Sequence, residues 1–405
     1  MAARTARSVV VAGGGLAAYH FGYALRRLGF DGSIDVLGAE PHLPYDRPPL
    51  SKAFLAGDVD RGALALDDPT APLDVRWHLG APAERLLAGP GERPGVLTAR
   101  GEFRADAVVL ATGADPVRLG AGVPGVHVLR SLDDAEALRA DGVAGRRVVV
   151  VGAGFIGLET AATAVKLGAG SVTVVSPEAV PLAERFGADV GAAVAGLHRA
   201  AGVELLGGLA VRGLTTDATG RVAGVIVDGS VDSSVDGGFI VAADLVILGL
   251  GVRPATGWLA GALQLAGNGA VVCDATGATG LDSVWAVGDC AVWAHADGSG
   301  LRRAGHWQDA LDHAAVVAAA LTGNPAPELP EPYCWSDQFG VTLQTAGHLH
   351  GDEEAVVLAG TVAGGDLLVG YHRHGEQTAI LGMNRPREVT RWRRTRRART
   401  PLVAA

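Results

Sequence analysis

Two glycine-rich stretches carry the clearest chemistry in this chain: Gly13-Gly14-Gly15-Leu16-Ala17-Ala18 and Gly152-Ala153-Gly154-Phe155-Ile156-Gly157. The first glycine of such a stretch permits a tight turn, and the second lets backbone N–H groups approach a pyrophosphate at a helix N-terminus. The small third residue, Ala18 in one copy and Gly157 in the other, lets helix and strand pack closely. Taken singly, either stretch could be an ordinary strand-to-helix turn. Their meaning depends on what flanks them.

Each is flanked as a phosphate-binding loop requires. Ser8–Ala12 is a short apolar run that reads as a strand, and helical spacing of apolar residues follows through Leu28. Arg147–Val151 is a run of valines, a helix is expected through Leu167, and a second β run follows at Ser171–Val175. The end of the second strand is where a dinucleotide fold places an acid for the ribose hydroxyls. In the first copy Ile34–Leu37 leads into Gly38-Ala39-Glu40, making Glu40 the candidate. In the second the strand ends in Ser176-Pro177-Glu178. Serine lacks the carboxylate that repels a 2′-phosphate, which leaves NADH and NADPH both open. Ser176–Pro181 also lacks the arginine that positive selection of NADPH needs, and Glu178 could restore part of the repulsion. NADH is therefore expected as the better donor, by a weak preference.

Composition agrees with layered α/β structure. Of the 405 residues 48% are hydrophobic and 19% charged, and 59 are glycine, so there is material for several buried parallel strands and more than one domain. The net charge of −9 argues against a nucleic-acid partner. The exception is a run of arginines at 391, 393, 394, 396, 397 and 399, which reads either as a solvated end or as a docking patch for an acidic partner. Cys273, Cys290 and Cys334 are far apart and form no paired motif, which excludes a disulfide scaffold and a cysteine-rich metal site. His306 and His313 lack a third ligand at metal spacing, so no metal is expected. No apolar stretch reaches the length of a membrane span. A cytoplasmic monomer with no membrane partner is expected.

Seven further motifs make the reading specific. They are Pro44-Tyr45-Asp46-Arg47-Pro48-Pro49-Leu50-Ser51-Lys52, Ala111-Thr112-Gly113-Ala114, Leu129-Arg130-Ser131-Leu132, Gly251-Val252-Arg253-Pro254, Val284-Trp285-Ala286-Val287-Gly288-Asp289-Cys290-Ala291, Trp335-Ser336-Asp337-Gln338 and Asn384-Arg385-Pro386-Arg387-Glu388. Together they resemble the oxygenase-coupled ferredoxin reductase family, the type that includes putidaredoxin reductase and the biphenyl dioxygenase reductases, over nearly the whole chain. The resemblance implies an α/β fold with two Rossmann-like dinucleotide-binding domains in a glutathione-reductase-like arrangement, then a C-terminal α+β domain. Residues 1–114 and 245–325 would form the FAD-binding domain, 115–244 the NAD(P)H-binding domain and 326–405 the C-terminal domain. The insert is expected to end in β structure around a Gly/Ser/Asp loop at Asp228–Gly238.

On the same resemblance Lys52 lies beside the flavin N5 and pairs with Glu159, where its charge would stabilise reduced flavin. Read alone, Glu159 is equally a solvated helix residue. Asp289 would bond the ribityl hydroxyls, Thr112 and Gly113 would let the backbone pass the cofactor, and Arg130 would donate to the flavin site. The remaining cofactor-binding positions are Gly13, Gly15, Leu16, Ala17, Ala18, Ala39, Glu40, Arg47, Ala83, Ala111, Trp307, Gly152, Gly154, Phe155, Ile156, Gly157, Ser176 and Gly251. One departure stands out: Gly305-His306 precedes Trp307 where relatives commonly carry an acid.

The implied activity is electron transfer from NAD(P)H through FAD to a ferredoxin-type iron–sulfur protein. Two alternatives share the scaffold. An NADH oxidase or peroxidase needs a cysteine beside the flavin, and Tyr45–Leu55 contains none. A redox-gated binding protein resembling apoptosis-inducing factor would oxidise NAD(P)H slowly with every acceptor.

Overall fold

The computed structural model describes residues 6–89, 91–228, 238–294, 300–303 and 305–397. Contacts divide the chain into two units. The first comprises Met1–Asp46, Gly62–Asp115 and Val252–Pro330, and the second Arg47–Arg61, Pro116–Gly251 and Glu331–Ala405.

The first unit is built on a five-stranded parallel sheet in the order Val284–Ala286, Ala107–Leu110, Ser8–Ala12, Ser33–Leu37, Arg76–His78. Parallel strands covered on both faces should be apolar throughout. Val9, Val11, Ala12, Val108, Val109 and Leu110 are accordingly buried in one core. Helix Leu16–Arg27 packs against the helix Trp307–Thr322.

The second unit repeats the plan. Its parallel sheet runs Glu204–Gly207, Ser171–Ser176, Arg147–Val151, Leu245–Leu248, Val126–Val128. An antiparallel sheet of Val211–Thr216, Val222–Asp228 and Gly238–Ala242 accompanies it. The interior of the expected Gly/Ser/Asp loop, 229–237, lies outside the described residues, as does Arg399 of the arginine run.

The C-terminal segment adds an antiparallel sheet to this unit, in the order Tyr333–Gln338, Val341–Gly347, Glu376–Met383, Asp366–Arg373, Glu354–Thr361. Alternation sorts its side chains onto two faces. Val341, Leu343, Leu367, Val369, Leu381 and Met383 join the core of the Rossmann-like layer. Leu368, Ile380 and Ala346 face the other way, with Val389 and Trp392 of the helix Pro386–Arg397. No described helix is long and apolar enough to cross a membrane, and no described cluster of His, Cys, Asp or Glu could hold a metal ion.

Candidate functional site

In the first unit the strand Ser8–Ala12 ends in a turn only glycine can make. Gly13 has φ +116°, and a Cβ there would sit 2.1 Å from the Ala111 carbonyl oxygen. Its N–H donates to Leu37 O at 2.8 Å, tying the loop to the second strand. Gly15 begins the helix in extended conformation with no side chain capping it, and a Cβ on it would meet nothing within 4 Å. The first-turn N–H groups therefore face space that no side chain of the loop fills, as a bound pyrophosphate requires. Leu16, Ala17 and Ala18 form the first turn, with Ala18 fully buried.

The other expected FAD residues of this unit gather on that end of the sheet. Gly288, at φ +69°, brings Asp289 beside the fingerprint: a Cβ on Gly288 would lie 3.2 Å from that of Ala17. Gly113 has φ +71°, and Thr112 Oγ1 donates to Ala255 O at 2.8 Å. The Glu40 carboxylate accepts from the Tyr45 hydroxyl at 2.6 Å, beyond the exposed Ala39. Trp307 donates through Nε1 to Asp46 at 2.7 Å and sits edge-on to His20. Ala111 is buried and Ala83 half-buried. His313 stacks on Trp293 at 3.8 Å in the core, and His306 precedes the Trp307 helix, where Asp309 accepts from the N–H groups of Gly305 and His306.

The second unit holds the other glycine loop. Gly152 has φ +107°, and a Cβ would meet Gly249 O at 2.3 Å. One on Gly157 would meet Gly152 O at 2.1 Å, so helix and strand touch backbone to backbone. Gly154 begins the helix Phe155–Lys166 without a side-chain cap, Phe155 stacks on Phe186, and Ile156 is exposed. Gly251, at φ +82°, accepts from the Val117 N–H. The Ser176 hydroxyl accepts from the Glu178 N–H at 3.1 Å. The Glu178 carboxylate is turned onto the N–H groups of Leu182 and Glu184. It is thereby committed to the chain's own backbone.

Lys52 and Glu159 come together in the same unit. Lys52 Nζ lies 2.8 Å from Glu159 Oε2, with the carboxylate 2% and the lysine side chain 20% exposed. A buried carboxylate needs every lone pair occupied. Ser51 Oγ donates to Oε2 at 2.5 Å and Ser336 Oγ to Oε1 at 2.6 Å. Thr163, one turn along the helix from Glu159, donates to Ser51 O and holds the Pro-rich segment in register. Arg47 reaches Arg130 O at 2.6 Å, just before the Ser131-capped helix Leu132–Asp141.

Residues 7–314 match the family described as pyridine nucleotide-disulphide oxidoreductase, and residues 333–405 that described as reductase C-terminal. The chain belongs to the pyridine nucleotide-disulphide oxidoreductase family. Within that family it resembles ferredoxin reductases. It is 34% identical to rhodocoxin reductase of Rhodococcus erythropolis over 98% of this chain and 91% of that one. It is 33% identical to the ferredoxin reductase component of chlorobenzene dioxygenase from a Cupriavidus species, over 99% and 95%. The covalent putidaredoxin reductase–putidaredoxin complex superposes with a TM-score of 0.87 at 32% identity, covering 96% of this chain and 92% of that one.

This oxidoreductase uses FAD and NAD(P)H. Both glycine loops fit such groups, since each helix begins at a glycine with no side-chain cap and with nothing within 4 Å of where its Cβ would stand. Sequence reasoning missed Ser51 and Ser336, which meet Glu159, and Thr163, which ties Ser51 to its helix. For the first two the motifs containing them were legible, but not which side chains would turn toward Glu159. None of the three cysteines is in a disulfide, and all three are buried. Burial pushes the Cys290 and Cys273 thiols well above their ordinary range.

Proposed function

We propose that this reductase takes a hydride from NADH and passes the electrons, through FAD, to a ferredoxin-type iron–sulfur protein that supplies an oxygenase such as a cytochrome P450 or a ring-hydroxylating dioxygenase. Bound FAD would supply the conversion of two-electron into one-electron transfer. The chain supplies binding, orientation and charge. Backbone N–H groups after Gly13 and Gly152 bind pyrophosphates, Glu40 and Asp289 accept from hydroxyls of FAD, and Ser176 meets the ribose of the nicotinamide cofactor. Lys52 provides a fixed positive charge for the reduced ring, and Glu159 fixes Lys52.

The buried Lys52–Glu159 pair is the observation that carries this reading. An ionised carboxylate in a core is costly unless its partners repay it, and here three groups of two distant segments, Lys52 and Ser51 of one and Ser336 of the other, converge on the Glu159 carboxylate. The inert thiols speak against disulfide or peroxide chemistry, which needs an accessible thiolate. We further infer a cytoplasmic monomer acting with neither nucleic acid nor membrane; reduced cysteines are in keeping with that compartment. Steady-state reduction of a panel of ferredoxins and rubredoxin with NADH and NADPH tests the function. Rapid turnover with a ferredoxin and NADH is expected. Slow oxidation with every acceptor, or a preference for NADPH, would overturn the corresponding part.

A further inference from the structure

Behind the Lys52–Glu159 pair runs a buried polar chain that the proposed function does not use. His198 Nε2 lies 2.9 Å from Gln338 Oε1, Gln338 Nε2 donates to Ser336 Oγ at 3.0 Å, and Ser336 Oγ donates to Glu159 Oε1 at 2.6 Å. His198, Ser336 and Gln338 are 0%, 0% and 2% exposed. We propose that these three are positioning residues: a proton-ordered chain that holds the Glu159 carboxylate in place and, through it, the Lys52 ammonium. This rests on the reading of Lys52 and Glu159 as the charge pair serving FAD.

The polarity of the chain is determined by its members. An ionised carboxylate only accepts, so the Ser336 proton points to Glu159 and its lone pair is left for the Gln338 amide N–H. That orients the amide with Oε1 toward His198, which must then carry its proton on Nε2. Every donor points inward to the carboxylate, and bonds aligned in this way polarise one another. The far end is blind: His198 Nδ1 has no hydrogen-bond partner among the described residues. His198 is itself shut off from solvent at 0% exposure, and holding is what the chain can do. The ring is itself pinned edge-on against Phe339, with centroids 5.0 Å apart. Ser336 and Gln338 reach the same side because they stand two apart on the strand Tyr333–Gln338. His198 comes from the helix Ala188–Ala200 and Glu159 from the fingerprint helix. The chain thus fastens two other elements to the helix that carries the carboxylate.

The test uses the FAD-loaded protein with Gln338→Met, His198→Leu and His198→Gln, the last of which returns an N–H near the Nε2 position. The two lysines, Lys52 and Lys166, allow selective nitrogen-15 labelling, with Lys166, paired to Asp58, as an internal reference. In the resting protein the Lys52 ammonium signal should shift and broaden in Gln338→Met and His198→Leu, and stay near its wild-type position in His198→Gln. Stopped-flow reduction of the flavin by NADH should slow about tenfold in Gln338→Met. In a Glu159→Gln background the same substitution should cause no further slowing, because the route is already cut; a merely structural role would give multiplying losses. An unmoved Lys52 signal, multiplying losses, or His198→Gln behaving like His198→Leu would each overturn the proposal. Should Gln338→Met not fold, the His198 variants test the same link from its far end. Glu159→Gln reducing at the wild-type rate would sink the underlying reading and this proposal with it, whereas the other failures sink the proposal alone.

Discussion

Replacing Lys52 with methionine separates two consequences of one charge. Lys52 Nζ is 2.8 Å from Glu159 Oε2 and also donates to Pro48 O at 3.1 Å. At that separation and an effective dielectric near 20, the gross attraction is about 6 kcal/mol. Desolvation of a carboxylate that is 2% exposed offsets much of it, so the net cost of orphaning Glu159 is about 3 kcal/mol. The kinetic consequence is distinct. A fixed charge aimed at developing negative charge contributes about 2.7–4 kcal/mol, or a rate loss of roughly 100- to 1000-fold when removed. Lys52→Met should therefore melt at lower temperature and reduce its flavin more slowly in stopped flow, with FAD occupancy retained. Lys52→Met/Glu159→Gln should recover stability, since no buried charge is left unpaired and the Ser51 and Ser336 hydroxyls can reorient. It should not recover the rate. Wild-type reduction in the single variant, or a rate restored in the double, would refute the argument.

Asp289→Ala should loosen FAD, because hydrogen bonds to a charged group contribute about 1.5–3 kcal/mol each; full occupancy after dilution and ultrafiltration would remove Asp289 from the site. Ser176→Glu should sharpen the preference for NADH, chiefly by disfavouring NADPH, as read from kcat/KM for both donors in the two proteins. Stability should fall on mild acidification partly because of His198. Burial holds its imidazole below the usual 6.5, against a smaller opposing effect of the Gln338 bond. Below about pH 6.5 the unfolded chain therefore binds a proton that the native state refuses, and stability drops toward the lowered native value. The His198→Gln protein should lose less melting temperature than wild type between neutral and mildly acidic buffer.

The two Rossmann-like sheets were legible because local signals agreed with the tertiary outcome: Ser8–Ala12 and Arg147–Val151 are apolar, β-branched and followed by glycines whose φ nothing else could adopt. In the C-terminal sheet the apolar runs Val341–Thr345, Ala355–Leu358 and Leu367–His372 mark Val341–Gly347, Glu354–Thr361 and Asp366–Arg373, each a residue or more short at an end. Tyr333–Gln338 and Glu376–Met383 could not, since their polar residues mask the alternation. Of the site, Lys52 and Glu159 were legible through motif and register. His198 was not. In its helix it lies among alanine, valine and glycine, and only the pairing of Gln338 with Val341 across the sheet turns a partner toward it.

The second unit has an unusual consequence for synthesis. Its members are drawn from Arg47–Arg61, Pro116–Gly251 and the chain beyond Glu331. Glu159 is therefore translated long before Ser336, and the middle strand of the last sheet, Glu376–Met383, joins neighbours on both sides. Until Ser336 has left the ribosome the carboxylate has Lys52 and Ser51 alone, and until residue 383 has followed, that sheet lacks its centre. Domains tend to fold as they emerge, yet this one must wait, exposing apolar residues such as Val341, Leu343 and Leu158 to water and to passing chaperones. Nascent chains stalled before that strand should be the ones chaperones hold longest.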